Sequence, residues 1–173
     1  MLKEGRLRKA LSVLDRAADL APNLAQTHFF VAMAHARLDE DDLALPSFER
    51  AVELAPGEAD YHYALGRTLL ALNRHADAAA RCERALELQG GQSHYHFRLG
   101  EARRGLADFS AARRAYSRAI ELQPDHVEAL YRRSDLSARE DAADAAMTDL
   151  ENVLRLAPDH AAAMVDLARL RSK

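Results

Sequence analysis

The sequence repeats itself every 34 residues, and this period constrains the fold more than any other feature. Four of the five prolines fall at the same point of successive units, with Gly90 at the vacant point: Pro22, Pro56, Pro124 and Pro158. Alanine recurs twelve residues before each point, at Ala10, Ala44, Ala78, Ala112 and Ala146. Leucine recurs two residues before it, at Leu20, Leu54, Leu88, Leu122 and Leu156. Such regular self-similarity indicates an array of one supersecondary unit.

Each unit is predicted to contain two helices. In residues 59–92, apolar or small residues recur at helical spacing in the first half and again along a second stripe that includes Ala78, Cys82 and Leu88. Pro or Gly then ends the second helix, because proline cannot continue one. Val, Ile and Thr together number only ten, which is too few β-branched residues for a sizeable sheet. The sequence therefore predicts an all-α chain of helix pairs.

The residues that recur at the 34-residue period resemble the signature of the tetratricopeptide repeat (TPR) family. That signature runs from Leu-Gly through Ala, an aromatic residue and Ala to Pro. The clearest unit carries Leu99, Gly100, Ala112, Tyr116, Ala119 and Pro124. Residues 127–160 match least, because Arg133-Ser134 stands where Leu-Gly is expected. The resemblance implies an all-α, right-handed superhelical solenoid of antiparallel helix pairs with about ten helices.

The period divides the chain into six pieces of one continuous array. Residues 1–24 are predicted to be the second helix of a truncated repeat, and residues 161–173 a closing helix. Four repeats lie between them, the last of which is degenerate: residues 25–58, 59–92, 93–126 and 127–160. The helix near the N-terminus, with Leu7, Leu11 and Leu14, is expected to leave apolar surface that a preceding helix covers in such arrays.

Charge and composition argue against several classes of protein. The formal net charge of −3 is untypical of a nucleic-acid-binding protein. No apolar run is long enough to span a membrane, and the N-terminus lacks the pattern of a signal peptide. We therefore expect a cytoplasmic protein with no nucleic-acid or membrane partner. The one cysteine, Cys82, excludes an internal disulfide and falls in a core column.

No catalytic, cofactor-binding or metal-binding pattern stands out, so we predict no enzymatic activity, no cofactor and no metal site. The chain has no phosphate-binding glycine loop, no HExxH and no CxxC. His28, His62 and His96 recur at the repeat period and could line up as metal ligands. Their place in the unit is a buried one in the family, which favours histidines that pack and form hydrogen bonds.

The first helices of such arrays line the concave side, which the resemblance implies is a binding groove. Their fifth position is always aromatic: Phe29, Tyr63, Phe97 and Tyr131. With neighbouring positions, these give the candidate peptide-groove residues Phe29, Met33, Tyr63, Arg67, His94, Phe97, Arg98, Glu101, Tyr131 and Arg132. Aromatic rings are enriched in binding hot spots and arginine recognises carboxylates, so a ligand with an apolar anchor followed by acidic residues would fit. Alternatively, the rings pack between adjacent helices and the charges, such as Glu128 and Arg132, pair with each other.

These features favour a non-enzymatic interaction scaffold that binds a protein or peptide partner in its concave groove. A second interpretation is a self-assembling oligomerisation module, in which the N-terminal end and the Phe29-Phe30 surface dock on another copy. A third is a regulatory or recruitment arm excised from a larger enzyme, since the repeats begin in mid-unit.

Overall fold

Ten α-helices make up the regular structure of the described residues. A computed structural model describes the backbone of residues 2–172 and the side chains of residues 4–172, so Met1 and Lys173, which end two of the predicted pieces, lie outside it. The helices are α1 (Leu2–Leu20), α2 (Ala25–Ala36), α3 (Asp41–Leu54), α4 (Ala59–Ala71), α5 (His75–Leu88), α6 (Ser93–Gly105), α7 (Phe109–Leu122), α8 (Val127–Arg139), α9 (Ala143–Leu156) and α10 (Ala161–Arg171). Residues 2–172 contain no β-strand, which confirms the all-α prediction.

The chain divides into two compact units between Gly90 and Gly91. The first unit contains α1–α5 and the second contains α6–α10. Within each unit, every helix packs against the next one along the chain. Turns of three or four residues join α2 to α3, α4 to α5, α6 to α7 and α8 to α9. Such short connections make the two helices of a pair antiparallel neighbours.

The core of each helix pair comes from two columns of the repeat. The recurring alanine of the second helix is fully buried in all four pairs: Ala44, Ala78, Ala112 and Ala146. The residue four positions later is also buried within the pair, as Phe48, Cys82, Tyr116 or Leu150. The burial of Cys82 confirms the prediction that it falls in a core column.

A glycine of the first helix faces the core side chain in two of the pairs. A side-chain carbon at Gly66 would stand 3.0 Å from the Cys82 sulfur, and one at Gly100 would meet the ring of Tyr116. Gly100 is therefore required by the close approach of an aromatic ring, and its φ angle is not positive. The Leu-Gly pair of the sequence pattern thus has a steric origin.

The turn inside each pair places one residue in the left-handed region. This residue recurs at the repeat period, with φ of 58° at Asp39, Asn73 and Ala107 and 56° at Asp141. Asn and Asp tolerate this conformation because their short polar side chains bond locally, whereas alanine is disfavoured there by about 1–2 kcal/mol. Of the four turn residues, Ala107 is therefore the one whose side chain least favours the left-handed backbone conformation that it adopts.

The degenerate repeat carries an ion pair where the preceding repeat carries two apolar residues. Arg133 of α8 donates to both carboxylate oxygens of Asp149 on α9, at 2.8 and 2.7 Å. It also donates to the Ser117 hydroxyl at 3.1 Å. Asp149 is almost fully buried, and its hydrogen bonds raise the pKa of the Arg133 guanidinium. The residues 34 positions earlier are Leu99 and Ala115, so the substitution of one partner is matched by that of the other.

Four of the eight histidines have structural partners of two kinds. The Nε2 atoms of His28 and His62 lie 2.9 and 3.0 Å from the carbonyl oxygens of Pro22 and Pro56, so the nitrogen donates in each contact. His126 and His160 instead cap α8 and α10, because their Nδ1 atoms accept from the amides of Ala129 and Ala163. No cluster of three or more His, Cys, Asp or Glu side chains within the described part of the chain is placed to hold a metal ion.

Candidate functional site

The fifth-position rings take part in packing to different degrees. Phe97 is only 8% exposed, and its ring lies 5.8 Å from that of Tyr116 and 4.8 Å from that of His126. Tyr131 lies 4.8 Å from the His160 ring and donates from its hydroxyl to Asp166 at 3.0 Å. In the second unit, therefore, Phe97 and Tyr131 take part in packing, and the Tyr131 hydroxyl also reaches the closing helix α10, as the packing alternative expects.

Phe29 differs from the buried Phe97 because part of its side chain remains accessible. Its ring stacks on Tyr61 at 4.5 Å and meets the edges of Phe48 and Phe30 at 5.7 and 5.8 Å. These contacts hold the side chain in one orientation. An aromatic residue that is fixed and partly exposed loses little entropy on binding.

Glu101 is the centre of a polar network in the second unit. It accepts a hydrogen bond of 2.5 Å from the Tyr116 hydroxyl and ion pairs of 3.4 Å from Arg104 and Arg132. Burial and the bond to Glu101 raise the pKa of Tyr116 well above its usual range. Two of the candidate groove residues, Glu101 and Arg132, are thereby brought together, and each partly neutralises the other.

The remaining charged candidates are placed differently. The guanidinium of Arg98 lies over the Phe97 ring, 5.3 Å from its centre. Arg67 lies near Asp41, where its charge opposes the rise in the Asp41 pKa that burial causes. His94 is exposed, with its ring 4.6 Å from that of Tyr95, and Tyr63 is partly buried on α4.

An open apolar groove of about 560 Å³ lies between α1 and α2, and we call it the α1/α2 groove. It is lined by Leu7, Ala10, Val13, Leu14, Phe29, Phe30, Met33, Ala34 and Arg37. Of these residues, Arg37 alone is charged. The groove includes two residues predicted for the site, Phe29 and Met33, while Tyr63 and Arg67 are outside its lining. Val13 is 68% exposed and Phe30 is 46% exposed.

The repeat itself shows that this exposure is unusual. Ala10 is exposed, although the four alanines at the same place in later units are fully buried. Leu14 is partly exposed, although its four counterparts are the buried core residues of the helix pairs. In those pairs the first helix covers the second, whereas no described helix covers this face of α1. The groove thus presents a helix-packing surface to solvent.

The sequence predicted apolar surface on α1 at Leu7, Leu11 and Leu14. Leu7 and Leu14 line the groove, whereas Leu11 is buried. Another feature of the structure was not anticipated from the sequence. The Arg133–Asp149 pair was read only as a departure from Leu-Gly. The 34-residue period could have revealed the pair, because residues 133 and 149 are both charged in the same repeat.

Sequence profiles identify the class of protein to which this geometry belongs. Two profiles described as tetratricopeptide repeat match the chain, one over residues 42–99 and the other over residues 2–59 and 97–161. The second alone covers more than half of the sequence. The chain therefore belongs to the tetratricopeptide repeat family, whose fold serves in general as a protein–protein interaction scaffold. No curated protein matches the chain at a significant level.

Solved structures with the same fold cover nearly the whole chain. MamA from Desulfovibrio magneticus RS-1 is 21% identical with a TM-score of 0.84, over 92% of this chain and 90% of that one. PilF from Pseudomonas aeruginosa is 19% identical with a TM-score of 0.86, over 99% and 78%. YrrB, described as a TPR protein with an unusual peptide-binding site, is 23% identical with a TM-score of 0.82, over 94% and 84%. At these identities the likeness shows a helical-repeat solenoid fold and nothing more specific.

The helices were also compared with the requirements of a membrane span. Among the described residues, no helix combines the length and the apolar character that crossing a bilayer demands.

Proposed function

We propose that this chain is a non-enzymatic interaction scaffold that binds a helical segment of a protein partner in the α1/α2 groove. The observation that supports it is the exposure of Ala10 and Leu14, whose counterparts are buried in every complete pair, together with the exposed Val13 beside them. A surface shaped for helix packing favours an amphipathic helix over an extended peptide.

The chemistry of the lining indicates the character of the bound segment. Val13 and Phe30 offer broad apolar contact, and burying each of them contributes about 1–2 kcal/mol. Arg37 is the charged residue of the groove lining, and its guanidinium can form an ion pair with a carboxylate on the bound segment. We therefore expect a helix with an apolar stripe and an acidic residue beside it, which agrees with the ligand predicted from the sequence.

The other first-helix candidates belong to the proposal as secondary contacts, each within its own unit. Arg98 is the best suited of them to meet an acidic residue, because it stacks on Phe97 and takes no part in the Glu101 network. Arg132 is less suited, since Glu101 already balances its charge. The rings of Phe97 and Tyr131 would contribute only their accessible edges.

Peptide arrays test this proposal when they are read with matched variants. Helical peptides that vary in apolar and acidic content are screened on the chain, and the best are titrated by fluorescence anisotropy. The double variant Val13→Glu, Phe30→Glu is expected to lose binding by at least tenfold, and Arg37→Glu to lose the preference for acidic peptides. Leu43→Glu is the control, because Leu43 is similarly exposed on α3 outside the groove. Equal affinities of the double variant and the control would contradict the proposal.

A further inference from the structure

Helix α10 carries an open apolar face at the other end of the chain. Ala163 and Leu167 are buried against the second unit, in a cluster with Leu150 and Val153. On the opposite side, Met164 is 47% exposed and Val165 is 66% exposed, and Ala168 is exposed as well. The helix therefore buries one side and presents a second apolar side to solvent.

The repeat register identifies what this open face would contact. Ala168 falls at the place of the small first-helix residues, which are Ala32, Gly66, Gly100 and Ser134. All four are buried, and Gly66 and Gly100 lie directly against the core residue of their second helix. Met164 falls at the place of His28, His62, His96 and Leu130, of which His62 and Leu130 are buried and the other two are half-buried. The open side of α10 is thus the side that covers a second helix in the complete pairs.

Helix α1 presents the complementary half of the same contact. Leu14 falls at the place of Phe48, Cys82, Tyr116 and Leu150, of which Cys82 and Tyr116 lie against the glycines of their first helices. Ala10 falls in the column of alanines that are fully buried in the complete pairs. Within residues 2–172, therefore, no helix covers this face of the second helix α1, and no helix lies against the open side of the first helix α10.

We infer that α10 of one copy docks in the α1/α2 groove of a second copy and forms a composite helix pair. The inference depends on the proposed function, because it names the occupant of the same groove. By the register of Gly100 and Tyr116, Ala168 of one copy lies against Leu14 of the next. Met164 and Val165 enter the part of the groove where Val13 and Phe30 are exposed. The contact continues the packing that already joins the helices within each unit.

The symmetry of this contact determines the form of the assembly. Each copy offers one groove and one α10, and these are different surfaces, so the contact is heterologous. Such contacts extend head to tail unless the rotation between copies closes a ring. A single helix in a groove gives a small interface, which is typical of weak and concentration-dependent association.

Sedimentation equilibrium of the whole chain tests this inference. We expect the mean mass to rise with concentration from the monomer value through that of a dimer and beyond. Val13→Glu places a charge in the groove and Val165→Glu places one on the docking face of α10, so each change prevents docking at its own surface. Both residues are exposed enough to be changed without loss of folding. Each variant alone is expected to remain a monomer, while Leu43→Glu assembles like the unmodified chain.

A mixture of the two variants gives the sharpest result. The Val13→Glu chain keeps its α10 face and the Val165→Glu chain keeps its groove, so the mixture is expected to form a one-to-one dimer and to stop there. A monomeric unmodified chain at every concentration would overturn the inference while leaving binding of other helices in the groove intact. Assembly that survives Val165→Glu but not Val13→Glu would overturn the assignment of α10 as the occupant. Assembly that survives both changes would overturn the composite pair altogether.

Discussion

The ring of Tyr116 lies against Gly100, in the space that a side-chain carbon at residue 100 would need. Tyr116 is fully buried, and its hydroxyl is fixed by Glu101, so the ring cannot move aside freely. The approach of α6 and α7 is therefore set by the absence of a side chain on one helix and the presence of a large ring on the other.

Gly100→Ala is expected to lower the free energy of unfolding by about 1–3 kcal/mol, because the new methyl group overpacks a filled core. Urea denaturation followed by circular dichroism measures the change. Gly57→Ala is the matched control, since nothing lies within 4 Å of a side-chain carbon there. A loss at Gly100 no larger than that at Gly57 would show that the Tyr116 ring yields easily.

Removal of one partner from the Arg133–Asp149 pair should be more damaging than replacement of both. Arg133→Leu leaves the buried Asp149 carboxylate without its ion pair, and about 3 kcal/mol of stability is expected to be lost. The double variant Arg133→Leu, Asp149→Ala restores the residues found 34 positions earlier and should recover most of that loss. Thermal and urea denaturation of the two variants check this. A double variant no more stable than Arg133→Leu would mean that the pair cannot be exchanged for the apolar packing of its neighbour.

Ala107→Gly is expected to stabilise the chain by about 1 kcal/mol, because glycine adopts the left-handed conformation at φ 58° without steric cost. The same measurement on Asn73→Gly gives the comparison. Asparagine already tolerates this conformation, so the gain there should be smaller. Equal gains at the two sites would contradict a cost specific to alanine.

The stability of the first unit is expected to depend on the protonation of His62. Burial lowers the pKa of this ring below its ordinary value of 6.5, so the unfolded chain takes up the proton first as the pH falls. The stabilising contribution of the neutral ring is present above about pH 6.5 and is lost as the pH falls from there through the lower folded pKa. Denaturation at a series of pH values should give a smaller loss on acidification for His62→Gln than for the unmodified chain. Parallel curves for the two proteins would contradict this assignment.

Much of the fold could be predicted from the repeat alone. Ala78 and Cys82 occupy columns whose spacing indicates a buried helical stripe, and both are fully buried. The alternation of helix-ending Pro or Gly with apolar residues at helical spacing likewise predicts helix pairs, and ten helices are present in residues 2–172. The repeat predicts the fold here because residues at equivalent positions of successive units pack in the same way.

The candidate site could be predicted only in part, because the repeat period gives the place of a side chain in its unit but not the residue that it contacts. Phe29 and Phe97 share one column, yet Phe29 lines the open groove whereas Phe97 is buried against Tyr116 and His126. The fate of each ring depends on whether a neighbouring helix covers it. Glu101 and Arg132 are 31 residues apart in sequence, so their contact across α6 and α8 follows from packing and not from local spacing.

Methyl NMR of the methionine side chains tests the central claim most directly, because Met33 lines the α1/α2 groove and Met147 lies on α9 in the second unit. The chain is labelled at the methionine methyl groups and titrated with the strongest helical peptide from the array. We expect the Met33 signal to shift and saturate with the binding curve while the Met147 signal stays in place. An unmoved Met33 signal at saturation, with shifts confined to other methionines, would contradict the assignment of the groove as the binding surface.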